Sequence, residues 1–254
     1  MEYRRYCPLA DRAFAGSIGT LTLTLASTSQ VKVAELRVFM KENGISILCI
    51  QETHVIHTDH YIEDGFSIFL SGAGENVSRS YAGVGFIVAP WAIAAVVSFK
   101  AISDRLANLR VKVTGGVLNL VTAYAPHDGY DFNIRHDFFS TLCQHTRSKH
   151  LHETSMVLGD LNAQFGYVGH GEEAIVGQHV FKKTLLSNRA TIPNRTLVFE
   201  YCATHDLMIA NTFFNYPDEV LVSYYNLNGK PTDLISSGVF SQLDHVFVRW
   251  EIQK

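Results

Sequence analysis

Three short polar clusters in this 254-residue chain each follow an apolar run: Gln51-Glu52-Thr53 after ILCI, Asp160-Leu161-Asn162 after MVLG, and Asn211 after LMIA. Short apolar runs bounded by polar residues read as buried strands, and strand ends in α/β sheets converge on the ligand crevice. Residues two apart in extended chain point to the same side, so Asp160 and Asn162 can face one site. A hard cation such as Mg²⁺ takes one or two carboxylates and completes its shell with substrate phosphate oxygens. Glu52 and Asp160 have the chemistry for that role. Each cluster taken singly reads better as a turn or a helix cap, which Asp and Asn favour. The repeated placement is what argues for a site.

The elements that must position these residues follow from hydrophobic periodicity. Ile18–Leu25 alternates apolar residues with Thr, a half-buried strand pattern. Apolar residues at 31, 34, 36, 38, 39 and 40 predict an amphipathic helix ending at Asn43-Gly44. The run at 45–50 predicts a central strand, and strand, helix, strand in this order predicts α/β organisation. Further strands are expected at 66–70, 83–88, 93–99, 107–113, 117–124, 155–158, 207–211 and 244–249, with a weak hairpin before the last. Helices are expected at 131–148 and 197–205, and loops with one or two short helices at 165–194. Residues 1–16 read as a lead-in and 17–254 as one domain, with no repeat or linker between.

Hydrophobic residues make up 47% of the chain and charged residues 18%, a composition that builds a core and excludes wholesale disorder. The net charge of −3 excludes a broadly basic surface that holds DNA by phosphate neutralisation alone; any nucleic-acid contact must rest on a local patch or a bound metal. The four cysteines, Cys7, Cys49, Cys143 and Cys202, form no CxxC pair and read as buried thiols, which fits an intracellular, reducing compartment. Asn76-Val77-Ser78 and Asn194-Arg195-Thr196 match the glycosylation sequon, a pattern that chance produces often. No signal peptide is evident. Residues 81–99 carry no charge over nearly a membrane span, but Gly83, Gly85 and Pro90 fit two buried strands joined at Ala89-Pro90-Trp91 better, so no membrane partner is expected. His54, His57 and His60 could ligate zinc if helical, though a polar loop is the better reading. Arg105 and Arg110 flank an apolar strand and have the chemistry to touch phosphate, though solvated surface arginines are the better reading.

Taken together, the motifs resemble the endonuclease/exonuclease/phosphatase superfamily, and within it the apurinic-type endonuclease domain of LINE-like retrotransposons, from about Ile18 to Arg249. ISILCIQET (45–53) resembles the metal-ligand strand, with Glu52 as the ligand. VTAYAPHDG (121–129) resembles the tyrosine motif, with Tyr124 reaching the scissile phosphate. VLGDLNA (157–163) resembles the most specific motif, in which Asp160 acts on the attacking water and Asn162 holds the phosphate. ANTF (210–213) resembles a shorter motif containing Asn211. QLDHVFV (242–248) resembles the late strand whose Asp, here Asp244, orients a catalytic His. Tyr224 resembles an aromatic position at which Trp is usual.

The resemblance implies an α/β four-layer sandwich of two β-sheets flanked by helices, DNase I-like, and Mg²⁺-dependent (or Mn²⁺-dependent) phosphodiester hydrolysis with DNA as substrate. It implies a nuclear location for a working retroelement enzyme. Two departures stand out: Thr22 occupies the position of the family's first-strand Asn, and the terminal Ser-Asp-His motif is absent before Lys254, which reads as a C-terminal truncation that lowers activity. The alternatives are a non-catalytic or remnant binding module, and a phosphodiesterase acting on a phospholipid or inositol phosphate.

Overall fold

The apolar run at 45–50 forms β3, Ile45–Gln51, in which every residue is buried. Such a strand needs cover on both faces. In the computed structural model, which describes residues 6–7, 16–22, 30–74, 80–147, 152–166, 168–181, 193–225 and 240–249, one face is covered by α1, Gln30–Glu42. Val33, Leu36 and Met40 of α1 share a core cluster with Leu48, Ile50, Phe66, Ile68 and Ile87. The helix stops as its sequence dictates. Asn43 Nδ2 donates to the Phe39 carbonyl at 2.9 Å, and Gly44 turns the chain at φ +63°, the left-handed geometry glycine adopts without a Cβ penalty.

The chain divides into two compact units, one comprising Met1–Tyr124 and Gln144–Gly159, the other Ala125–Cys143 and Asp160–Lys254. The first unit holds a six-stranded sheet in the order β1 (Tyr6–Cys7), β2 (Ser17–Thr22), β3, β6 (Val84–Val88), β5 (Phe66–Ser71), β4 (Asp59–Glu63). The β2–β3 pair is parallel; its other pairs are antiparallel. A second sheet runs β10 (Glu153–Asp160), β9 (Gly116–Tyr124), β8 (Leu106–Val113), β7 (Val96–Ser103). Ala107, Leu109 and Val111 of β8 and Leu120 of β9 are wholly buried.

The second unit contains most of α2 (Phe132–Thr146), then α3 (Asn194–His205), β11 (Leu207–Ile209), α4 (Asp218–Leu221), β12 (Tyr224–Tyr225), β13 (Phe240–Ser241) and β14 (Asp244–Arg249). β11 pairs antiparallel with β14, and β12 with β13, the weak hairpin expected. A polar knot ties the helices together. Asn194 Nδ2 donates to the Pro126 carbonyl at 2.8 Å, its backbone N–H to Asp128 Oδ1 at 2.8 Å, and Arg135 Nη1 donates to Asn194 Oδ1 at 3.2 Å. Asn194 is 0% exposed, so the sequon match there is structural and inaccessible in the folded chain. The other sequon match, at Asn76, lies outside the described residues.

Several boundaries differ from expectation. β4 reads from sequence as a polar loop; it is an edge strand, and edge strands tolerate charged and polar residues that central strands do not. Because it is a strand, the His54, His57 and His60 series is not helical: His60 stacks on Phe69 with ring centroids 4.1 Å apart, and His54 Nδ1 lies 3.1 Å from the Ser80 carbonyl. The expected strand at 93–99 begins only at Val96, after a 3₁₀ turn over Ile93–Ala95. It is a half-exposed edge of the second sheet, whereas β6 lies fully buried in the first. No helix among the described residues is long and apolar enough to cross a membrane. Residues 168–181 form turns and one isolated bridge, Val176 to Ile209, with no helix; 182–192 lie outside the described residues. Cys49 and Cys202 are buried free thiols, and burial pushes both well above the usual thiol range. Cys143 is only half-buried.

Met40 is wholly buried against this core. Met40→Ala is expected to cost about 2–5 kcal/mol through lost burial and a residual cavity, read as a lower urea midpoint at unchanged slope.

Candidate active site

Each unit presents one part of the sequence-predicted set. In the first, β3 ends at Gln51 and the next residue leaves the sheet. Glu52 sits at φ +54°, a left-handed conformation that costs a non-glycine residue about 1–2 kcal/mol. The surroundings hold it there. The Thr53 N–H donates to the Gly83 carbonyl at 3.0 Å and the His54 N–H to the Ala82 carbonyl at 2.7 Å. A Cβ on Gly83 would meet Thr53 Oγ1 at 2.3 Å, so only glycine permits this approach. The half-buried Glu52 carboxylate accepts a hydrogen bond from Tyr124 Oη, 2.7 Å to Oε1. Two residues that the sequence separates by 72 positions thus meet at the ends of β3 and β9.

Beneath this pair lies a buried amide. Gln51 is 0% exposed. Its Oε1 accepts from Thr20 Oγ1 at 3.1 Å, its Nε2 donates to Thr122 Oγ1 at 2.8 Å, and Thr22 Oγ1 lies 3.5 Å from the same Oε1. Thr22, which stands where the resembled family has Asn, thereby joins the support beneath Glu52. Arg105 stands on the other side of the pair. Its guanidinium lies 5.1 Å from the centre of the Tyr124 ring, and Nη1 donates to the Tyr124 carbonyl at 3.3 Å. Solvated is therefore the wrong description of Arg105, and also of Arg110, which pairs with Glu153 at 3.2 Å. The missed signal was register. Leu106 pairs with Ala123, which brings the residue before β8 to the end of β9.

The GDLNA motif straddles a chain boundary, Gly159 closing a segment of the first unit and Asp160 opening one of the second. A glycine is required at its head: Gly159 has φ +149°, and a Cβ there would meet the Ala123 carbonyl oxygen at 2.0 Å. Asp160 is 4% exposed; its Oδ1 accepts the Asn162 N–H at 2.7 Å, closing a tight Asx turn. Asn162 sits at φ +48° and its Nδ2 donates to the Ala125 carbonyl at 2.7 Å. The turn reading of Asp160-Leu161-Asn162 is thus met by this geometry. Asp244, 3% exposed, opens β14, its N–H donating to Ser223 Oγ at 3.1 Å. Asn211 lies in a 3₁₀ turn after β11. Its Nδ2 donates to the Asp244 carbonyl at 3.3 Å, and its Oδ1 accepts the Val246 N–H at 3.1 Å. Both ends of that amide hold the start of β14. His245, the neighbour of Asp244, points elsewhere and lies with Nε2 3.2 Å from the Ala163 carbonyl.

Among the described residues no three His, Cys, Asp or Glu side chains gather as a metal cage. That excludes the zinc reading of the histidines within the described residues. It leaves the chemistry of Mg²⁺, which takes few protein ligands and keeps water and phosphate oxygens for the rest; the half-buried carboxylate of Glu52 fits such a site.

The conformation of Asn162 can be separated from its amide. Asn162→Gly is expected to keep near-native stability, since glycine adopts φ +48° freely. Asn162→Ala should lose about 1–2 kcal/mol more than the glycine variant, measured by denaturant titration of both.

No protein-family model and no curated protein matches the sequence. Solved structures do match in three dimensions. An AP endonuclease from Leishmania major is 15% identical, covers 92% of this chain and 78% of its own, and superposes with a TM-score of 0.61. A 3′ phosphatase from Neisseria, bound to a product DNA hairpin, is 15% identical with 91% and 86% covered and a TM-score of 0.60. The endonuclease domain of TRAS1, a telomere-specific non-LTR retrotransposon, is 13% identical with 92% and 85% covered and a TM-score of 0.56. The chain therefore carries the DNase I-like α/β fold of endonuclease/exonuclease/phosphatase structures, as its motifs imply.

Proposed function

We propose that this chain is a phosphoester hydrolase that acts on DNA, of retroelement-endonuclease type. The observation that carries the reading is the Tyr124–Glu52 hydrogen bond, which holds one carboxylate at a strand end in a strained left-handed residue. Backbone strain of this kind clusters at functional sites, and Asn162 shows it as well. Glu52 would hold Mg²⁺ or Mn²⁺, which when bound would polarise a phosphoryl oxygen. Tyr124 orients the Glu52 carboxylate through its hydroxyl, and Arg105 fixes the Tyr124 ring. Asp160 serves as the group that draws a proton from water. Asn162, held by the Ala125 carbonyl, aims its remaining amide capacity at phosphate as charge builds there. Asp244 and Asn211 act by positioning the start of β14. A retroelement enzyme of this kind would work in the nucleus.

A second reading, a degenerate member that binds without cleaving, is favoured by Thr22. One hydroxyl replaces the donor and acceptor arms of Asn, and it lies at the limit of hydrogen bonding to Gln51.

The test is nicking of supercoiled and abasic-site plasmid with Mg²⁺. Asp160→Ala is expected to lower the rate by about 10²–10⁴-fold, the contribution of a general acid/base. Glu52→Gln should abolish both nicking and Mg²⁺ binding by calorimetry, and Thr22→Asn should raise the rate. Nicking that persists unchanged in Glu52→Gln and Asp160→Ala would place the activity, if any, outside these residues. Absence of nicking in every variant, with duplex binding retained, would select the non-catalytic reading.

A further inference from the structure

The second sheet of the first unit carries a cavity of about 210 Å³ that neither Glu52 nor Tyr124 lines. It opens on the face of β8 opposite the buried Ala107, Leu109 and Val111, because side chains alternate across a strand. Lys100, Arg110, Asn108, Asn119, Arg147 and Glu153 are among the residues that line it. Three cations thus face one carboxylate in a chain whose net charge is −3. Glu153 is already matched by Arg110 at 3.2 Å. Lys100 and Arg147 are exposed, and no ion pair holds either among the described residues. Cations that outnumber carboxylates around one cavity repel each other, and an anion placed among them relieves that repulsion.

A second observation lies on the cavity wall. Asn119 Nδ2 donates to the His145 carbonyl at 3.1 Å and to Ser155 Oγ at 3.1 Å. The His145 carbonyl can only accept, so the Asn119 amide has one orientation and its Oδ1 faces Asn108. Asn108 must then present Nδ2, which donates to it. That leaves Asn108 Oδ1 as a buried acceptor with no hydrogen-bond partner, in a residue 8% exposed. An unsatisfied buried acceptor is costly, and Asn108 is one of the residues that line the cavity.

The geometry points to a binding site for a small phosphomonoester that also carries a hydrogen-bond donor, of the class of nucleoside monophosphates. Lys100 and Arg147 take the phosphate by charge-assisted hydrogen bonds. Asn108 Oδ1 accepts a hydroxyl or N–H of the remainder of the ligand. The site is separate from the proposed hydrolytic residues and does not depend on their activity.

The test is titration of the full chain with AMP, inorganic phosphate and adenosine, followed by backbone amide NMR shifts at 98–112 and by calorimetry. The buffer contains EDTA, so that no divalent ion recruits phosphate at Glu52. AMP is expected to saturate the amides lining the cavity and to bind more tightly than either phosphate or adenosine alone. The Lys100→Glu/Arg147→Glu double variant should weaken it by about tenfold or more, the size of one lost charged hydrogen bond. Lys112→Glu, half that charge change at another exposed position of β8, should leave it unchanged, as should Glu52→Gln. All the substituted residues other than Glu52 are exposed, so melting temperatures check that folding persists. No saturable shift, an equal loss in Lys112→Glu, or loss in Glu52→Gln would each overturn the assignment. So would a short duplex oligonucleotide that shifts the same amides and displaces AMP at lower concentration, since the ligand would then be a polynucleotide backbone.

Discussion

A buried amide governs the first unit. Gln51 ends a strand in which nothing is exposed, and its side chain has only the protein to satisfy it. An unpaired buried amide costs about 1–3 kcal/mol, so its partners are constraints and not ornaments. Thr20 comes from the neighbouring parallel strand and Thr122 from the second sheet. Their bonds to Gln51 fix the register of β2 against β3 and the approach of β9 to both. Glu52 is the next residue, and its carboxylate meets Tyr124, two residues beyond Thr122 on β9. The polar contact that closes the core thus also sets where the candidate metal ligand stands. Thr22 belongs to the same group.

Much of this was legible in the sequence because burial leaves a pattern. The runs at 45–50 and 155–158 have the continuous apolar character of strands covered on both faces, and both appear as strands. The helix over 30–42 ends at the Asn-Gly pair that signals its stop. Legibility failed where burial did not decide the residue type. β4 and β7 are edges, so their polar or mixed residues carry little period-2 signal, and the first was read as a loop. Arg105 was read as solvated because a lone arginine beside a strand says nothing of what lies across the ladder; only the pairing of β8 with β9 places it over the Tyr124 ring. Asn194 matches a sequon, yet its polar contacts are internal. Short motifs report composition, and only the fold decides whether an amide is a surface acceptor or a buried tie.

Tyr124, Asp160 and Asn162 lie at or near the chain boundaries of the two compact units. The first unit's opening segment ends at Tyr124 and its later one at Gly159, one residue before Asp160. Each edge carries a backbone feature that the rest of its own unit enforces. Gly159 admits the Ala123 carbonyl where no Cβ fits, and Glu52 and Asn162 hold left-handed conformations. These features conflict with local preference, and conflicts of this kind persist only where the surrounding structure over-determines them. Of the five non-glycine residues with positive φ among the described residues, Asp64 and Asp206 have ordinary turn and helix-cap settings. His54 lies in the loop that Glu52 begins. The remaining two, Glu52 and Asn162, are the ones singled out by chemistry.

Charge places a further demand on the proposed reaction. A polyanionic substrate is attracted by cations that are not already neutralised, and the chain commits several of its arginines internally. Arg37 pairs with Glu63 and Asp64, Arg110 with Glu153, Arg135 with Asp128, and Arg195 with Glu172. In the last pair burial works to raise the Glu172 carboxyl, yet the hydrogen bond from Arg195 prevails and holds it below its usual range. These cations stabilise the fold and contribute little field outside it. With a net charge of −3, long-range steering of DNA is weak. Binding must then come from short-range contacts at the site itself. A cation held by Glu52 and the guanidinium of Arg105 above Tyr124 would supply positive charge where a phosphate sits. If the proposed reaction holds, such an arrangement would trade general affinity for DNA against affinity at the reacting group, and the hydrolytic step would depend on the same few residues that recognise the phosphate.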